Sequence, residues 1–220
     1  MASIKTEIFQ KQFTTTPKSI SAAVASLCSE LSPGRPAVRV PVDPEPDAVI
    51  GECFHNVQAK VAKDGGSIAY GWLVWEWPRV FVEAEHHAVW SDERSLIDIT
   101  PHIHREPSVL FLPDPQRIYD YEGKKRIINV KRSLGLFKSV DGWISASDLL
   151  QHTLEQHLKG GKLDIDRDLL KALSEKARMA LAVVIVDLAI NTRGNDACLC
   201  SSGKKFKTCC APLIDLTAVG

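Results

Sequence analysis

The chain has 220 residues, 45% of them hydrophobic, which is enough to bury a substantial core as one domain with an appendage. Its 27 basic and 27 acidic residues cancel to zero formal charge, so no global field draws it to nucleic acid or anionic membrane, and partners have to be argued locally. The N-terminal stretch MASIKTEIFQKQFTTT lacks the apolar run of a secretory signal. The most apolar segment, Met179 to Ile190, is too short to span a bilayer and contains Asp187, so a cytoplasmic location without membrane attachment is expected.

Thr16-Pro17 followed by Ile20, Ala23, Val24, Leu27 and Leu31 predicts a capped amphipathic helix ended by Ser32-Pro33-Gly34. Cys28 lies mid-helix among these apolar positions and reads as structural. Pro36, Pro41, Pro44 and Pro46 then mark an extended linker, which makes residues 1–46 an N-terminal helix and linker. Residues 47–143 read as an α+β core. Ile50, Phe54, Val57 and Val61 repeat at helical spacing until Gly65-Gly66, placing Cys53 in the first turn. From Ser67 to Thr100 the β-branched and aromatic texture predicts at least three antiparallel strands, turning at Trp77-Pro78 and Ser91-Asp92-Glu93. Val109 to Leu112 is a further short strand.

Residues 116–143 mix tyrosines, the basic run Lys124-Lys125-Arg126 and the strand-like Ile127-Ile128-Asn129-Val130. Asp120 and Glu122 beside the basic run favour a solvated turn over a phosphate site. Residues 144–193 read as helical: Ser145-Ala146-Ser147-Asp148 opens a helix to Lys159, Gly160-Gly161 ends it, and a long helix runs from about Asp166 to Asn191.

Residues 194–220 hold four of the six cysteines. Cys198 and Cys200 are followed, after eight residues, by Cys209 and Cys210. Such a set can close a tetrahedral site around one structural zinc ion, with Gly203 permitting the turn that brings the pairs together. A pair of disulfides in an exported protein is the alternative, and the expected cytoplasmic location weighs against it. The run closely resembles the SEC-C motif, Cys-Pro-Cys-Gly-Ser-Gly-Lys-Lys-Tyr-Lys-x-Cys-His/Cys: all four ligand positions match, as do Ser202, Gly203, Lys204, Lys205 and Lys207. Leu199, Ser201 and Phe206 depart from the pattern. The resemblance implies zinc binding and a docking module. Because Gly194-Asn195 reads as the exit of the last helix, removal from about Asn195 onward is expected to leave the core folded.

Cys53 at a helix start, His86 and His87 on a following strand and Asp98 on the next occur in the order nucleophile, base, orienter. Unpaired N–H groups and the dipole of a first helical turn favour a thiolate, and a facing imidazole completes an ion pair that a carboxylate can orient. The backbone N–H of Cys53 could serve an oxyanion. Gly51-Glu52-Cys53-Phe54, His87-Ala88-Val89-Trp90 and Asp98-Ile99-Thr100-Pro101 resemble the transglutaminase-like branch of the papain-type cysteine enzymes. That resemblance implies a Cys-bearing helix packed on an antiparallel sheet, with Cys53 as nucleophile, His87 as base and Asp98 as orienting acid. No glutamine counterpart precedes the cysteine, which leaves Asn56 or a tryptophan N–H as candidate second oxyanion donors. Strand alternation, however, puts His86 rather than His87 in phase with Val80, Val82, Ala84, Ala88 and Trp90.

Two functions follow. One is a cysteine-nucleophile amide hydrolase or acyl transferase acting on a protein or peptide. The other is a non-enzymatic adaptor, docking a protein or ribosomal partner through its zinc knuckle and Lys204, Lys205 and Lys207, with Cys53 a packed core thiol. His102-Ile103-His104 with Asp98 and His86 could hold a catalytic metal, but Pro101 and Pro107 favour a solvated connection. Trp72, Trp75, Trp77 and Trp90 concentrate aromatic surface around the expected cleft.

Overall fold

The computed structural model describes residues 3–92, 94–103, 105–125 and 127–217. Strand β1 (Ser3–Ile4) leads through a 3-10 turn to α1 (Ala22–Leu31). The cap of α1 is Ser21, whose Oγ accepts from Val24 N, and not Thr16 as the sequence pattern predicts. Thr16 is buried, and its hydroxyl accepts from the N–H of Leu110 and from the Arg39 guanidinium, both at 3.0 Å. The proline-rich stretch is extended, and within it Val38–Pro41 forms β2. Helix α2 (Cys53–Asp64) follows and is closed by Gly65 at φ 77°. Next come β3 (Ser67–Trp77), β4 (Phe81–Ser91), β5 (Leu96–Ile97), β6 (Ser108–Pro113) and β7 (Val130–Ser133).

Helix α3 (Lys138–His157) begins earlier than the Ser145 pattern suggests. Ser145 lies inside it and donates back to the Asp141 carbonyl at 2.8 Å. A small hairpin of β8 (Leu158–Lys159) and β9 (Lys162–Leu163) follows, then α4 (Arg167–Ile190), capped by Asp166, and finally β10 (Ile214–Asp215). No helix among the described residues is long and apolar enough to cross a membrane.

The chain divides into two compact units. One comprises Thr16–Glu76 and Val82–Arg132. Its sheet has the order β2-β6-β3-β4-β5, with β7 also on β4, and β2/β6, β3/β6 and β4/β5 pair antiparallel. Gly71 has a steric reason: a Cβ there would lie 2.2 Å from the Leu112 carbonyl oxygen. Val40, Leu73, Trp75, Val89, Val109 and Phe111 form one buried cluster. A second joins Cys53, Phe54 and Val57 of α2 to Ala88, Ile99 and Tyr119, so the helix bearing the cysteine is packed on the sheet. The architecture is α+β with a mostly antiparallel sheet.

The other unit comprises the described residues of Met1–Thr15, Trp77–Phe81 and Ser133–Gly220. Its core joins Ile8, Trp77 and Phe81 to Val184, Ile185 and Leu188 of α4, and equally to Leu199, Phe206 and the cysteines of the tail. Strand β1 pairs with β10, Ser3 opposite Asp215 and Ile4 opposite Ile214. The cysteine-rich tail is thus built into this core. Removal from about Asn195 onward would take buried apolar surface from this unit, since Leu199 and Phe206 are 8% and 6% exposed and pack with α4, whereas the α+β unit contains no residue of the tail.

Candidate functional site

Cys53 is the first residue of α2, entered through Gly51 at φ 80°. No side chain caps this helix, unlike α1 and α4, so the positive end of the helix dipole is presented at the turn that carries the sulfur. His87 on β4 is hydrogen-bonded through Nε2 to Asp98 Oδ2 at 3.1 Å, and its ring lies near enough to the Cys53 sulfur for the two groups' charges to interact. With Nε2 committed to the carboxylate, Nδ1 is the ring nitrogen left for the thiol. Burial alone would make the His87 ring less basic. The charges of Cys53 and Asp98, with the hydrogen bond to Asp98, outweigh it and hold the ring well above its ordinary value. Asp98, 0% exposed, shows the complementary balance. Burial opposes its charge, but the His87 charge and hydrogen bonds from His102 and His87 hold it well below the usual carboxylate range.

The two neighbouring histidines part company here. His86 packs its ring 4.7 Å from that of Phe54 and 5.7 Å from that of Trp72. Its Nε2 donates to the Arg117 carbonyl at 2.6 Å and its Nδ1 accepts from Ile127 N at 3.2 Å, a fully committed neutral imidazole. Alternation does identify the inward, core-facing ring, but it is His87 that meets both Cys53 and Asp98. Of the other metal constellation, His102 and Asp98 come together while His86 does not, and His104 lies outside the described residues. His102 Nε2 is 2.7 Å from the same Asp98 Oδ2 that receives His87. The ligand atoms of His87, Asp98 and His102 lie within 4.8 Å of one another, a spacing that a metal ion could bridge. Two ring nitrogens on one carboxylate oxygen, with Asp98 Oδ1 accepting from Thr100 N at 3.0 Å, complete a hydrogen-bonded set without an ion.

Candidate oxyanion donors from side chains are spent elsewhere. Asn56 Nδ2 donates to the Val49 carbonyl at 2.8 Å and to Thr100 Oγ1 at 3.1 Å, and its Oδ1 accepts from Val49 N. The indoles of Trp72, Trp75, Trp77 and Trp90 donate to Asp114, Glu85, the Leu199 carbonyl and the Gly65 carbonyl. Tyr121 was not legible as a site residue. Its hydroxyl donates to the Phe54 carbonyl at 3.1 Å, and Tyr70 lies near it. Burial, then Tyr70 and the Cys53 charge, push it further from ionisation, so it remains a donor beside the sulfur. Ile50, read as helical, precedes α2 and is 55% exposed on the wall of a groove of about 640 Å³ that His102 also lines. Cys28 is buried on α1 and burial pushes its thiol up, as a structural cysteine requires. Lys124 and Lys125 are exposed on a turn closed by Gly123 N donating to Asp120 Oδ1, and Arg126 lies outside the described residues.

The second candidate centre is the tail. Cys198, Cys200, Cys209 and Cys210 bring their sulfurs within 4.8 Å of one another, with Cys200 at 3.5 Å from both Cys198 and Cys209. Four ligands on a tetrahedral ion at about 2.3 Å would stand roughly 3.8 Å apart, so the set fits one metal ion. Backbone bonds build the cradle: Cys198 N donates to the Lys204 carbonyl at 2.8 Å and Lys207 N to Gly194 at 2.9 Å. Ser201, standing where the motif has glycine, adopts φ 55° and offsets that strain by donating to the Phe13 carbonyl at 2.8 Å. The thiols crowd one another. A hydrogen bond from Cys210 holds Cys200 well below an ordinary thiol, while Cys210 itself is pushed up, first by that hydrogen bond.

Residues 195–212 match the SEC-C motif. No curated protein matches the chain, and no solved structure does.

Proposed function

We propose that the chain is a cysteine-nucleophile acyl-transfer enzyme or amide hydrolase of the transglutaminase-like kind, acting on a protein or peptide through Cys53, His87 and Asp98. The observation that carries this reading is the buried His87 ring, bonded to the buried Asp98 carboxylate and close enough to the Cys53 sulfur for their charges to interact. A core thiol has no need of either partner. In the reaction the Cys53 thiolate attacks the substrate carbonyl carbon, forming a C–S bond. The oxyanion is received by the Cys53 N–H at the helix start. His87 then gives its proton to the leaving amine as the C–N bond breaks, which leaves a thioester. Water or an acceptor amine attacks that thioester, His87 takes up the proton, and the thiolate departs. Asp98 holds the ring with Nδ1 toward sulfur throughout and is not itself protonated. Incubation with a small activated thioester followed by peptide mapping tests it: an acyl group on Cys53, absent in His87→Ala, is expected, and an unmodified Cys53 overturns the proposal.

For the tail, zinc is the ion proposed, since four thiolates suit a borderline-soft divalent metal with tetrahedral preference. A structural role follows from the closed ligand set. The match of residues 195–212 to the SEC-C motif, with Lys204, Lys205 and Lys207 exposed around it, supports a second reading in which this face docks a protein or ribosomal partner. The two readings are compatible in one chain, and retention of docking in a Cys53→Ala variant would separate them.

A further inference from the structure

We infer that the groove of about 640 Å³ beside His102 receives an uncharged apolar group carried next to the substrate's reacting carbonyl. The inference rests on the cysteine-enzyme reading and names the substrate class for it. Both walls of the groove run into the reacting residues. Val42, Pro44 and Ile50 lie on the segment that leads into Cys53, and Pro101, His102 and Ile103 on the segment that leaves Asp98. The walls are held against each other by backbone bonds at their roots: Asp98 N to the Pro41 carbonyl and Asp43 N to the Asp98 carbonyl, each at 2.9 Å. His102 stands between groove and carboxylate, its Nε2 on Asp98 at 2.7 Å and its ring edge-on to Trp75 at 5.6 Å.

The chemistry of the lining selects the occupant. Three of its residues, Pro44, Pro101 and Pro107, are prolines, which offer no N–H to an added strand, so the groove is not built to extend the sheet with a peptide backbone. Arg105 and Glu106 bring one charge of each sign, which favours neither an anionic nor a cationic ligand. What is left is apolar surface, and two large side chains stand out in water on it: Ile103 is 70% exposed and Ile50 is 55% exposed. A volume of this order suits a group of several carbon atoms. Exposed isoleucines on opposite walls of a concave site give such a group apolar surface to cover on entry.

The test compares Cys53 modification by iodoacetamide and by its N-hexyl derivative on the full chain. The hexyl reagent is expected to saturate and to react at least about tenfold more efficiently, from burial of its methylenes. Ile103→Asp, an exposed position, should return it to the iodoacetamide rate while leaving the iodoacetamide rate itself unchanged, and Ile50→Asp should do the same. Equal rates of the two reagents on the native chain, or no response to either substitution, overturn the groove assignment while the reactive cysteine stands. Failure of iodoacetamide to reach Cys53 in the folded chain instead overturns the enzyme reading. The groove is then judged by N-hexylacetamide alone: shifts of the Ile103, Arg105 and Glu106 amides that Ile103→Asp abolishes retain it, and their absence overturns it.

Discussion

The indole N–H of Trp77 donates to the backbone carbonyl of Leu199 at 2.8 Å, and both residues are buried. The end of β3 and the middle of a cysteine-rich tail are thereby parts of one core, which also holds Ile8, Phe81 and Leu188. Phe13 stacks on the same indole at 4.4 Å between ring centres. Trp77→Phe keeps most of the packing but leaves the Leu199 carbonyl without its donor, and is expected to cost about 1–3 kcal/mol. Deletion from Asn195 onward removes Leu199 and Phe206 as well, and thermal unfolding should then show the helical unit losing its cooperative transition. A truncated chain that melts as before would make the tail a true appendage.

Metal and stability should be linked through the same core. Cys198, Cys200 and Cys210 are buried within it, so four uncompensated thiolates cannot be held there. Metal analysis is expected to give one zinc ion per chain. Chelation and Cys200→Ser should each release the ion and lower the melting temperature of the helical unit. Full metal content in Cys200→Ser would show that the four sulfurs are not the ligand set.

How much of this was legible in the sequence depends on whether the cause is local. Ligand spacing at Cys198, Cys200, Cys209 and Cys210, the Asp166 cap and the Gly65 stop are local, and the structure has them where the pattern puts them. Helix α3 starts at Lys138 behind Phe137 with no side-chain cap, so nothing local marks its beginning. Strand β2 hides in a proline-rich stretch because an edge strand tolerates Pro41 at its end. The choice between His86 and His87 was beyond alternation, since both are buried and the distinction lies in partners distant in sequence, Arg117 and Ile127 for one, Cys53 and Asp98 for the other. The second ring on Asp98, His102, sits outside any regular element, and the sequence groups it with Asp98 by the His102-Ile103-His104 pattern and not by periodicity.

Cys53 is expected to be the thiol that alkylates fastest, because it stands at a helix start with the His87 ring as its partner. His87→Ala should remove the advantage, because the sulfur loses its imidazole partner. His86→Ala should not, since its ring nitrogens serve Arg117 and Ile127. Cys28, buried and pushed up, should stay inert. Peptide mapping after timed alkylation reads all four expectations. Labelling of Cys53 only after denaturation would make it a core residue.

The pair His87–Asp98 should also leave a signature in stability against pH. His87 is raised in the folded chain from its ordinary 6.5, so its contribution is fully present below that value and is lost as pH rises through the folded value. Asp98 is lowered from its ordinary 3.8, so its contribution is present above that value and is lost as pH falls through the folded value. Urea midpoints for the native chain should therefore be highest between these two ordinary values and decline on both sides. Asp98→Asn leaves His87 and His102 facing a neutral amide, should cost about 3 kcal/mol within that window, and should flatten the acid limb. A native profile without an alkaline decline, or an acid limb that survives Asp98→Asn, would show that His87 and the buried carboxylate are not a charged pair.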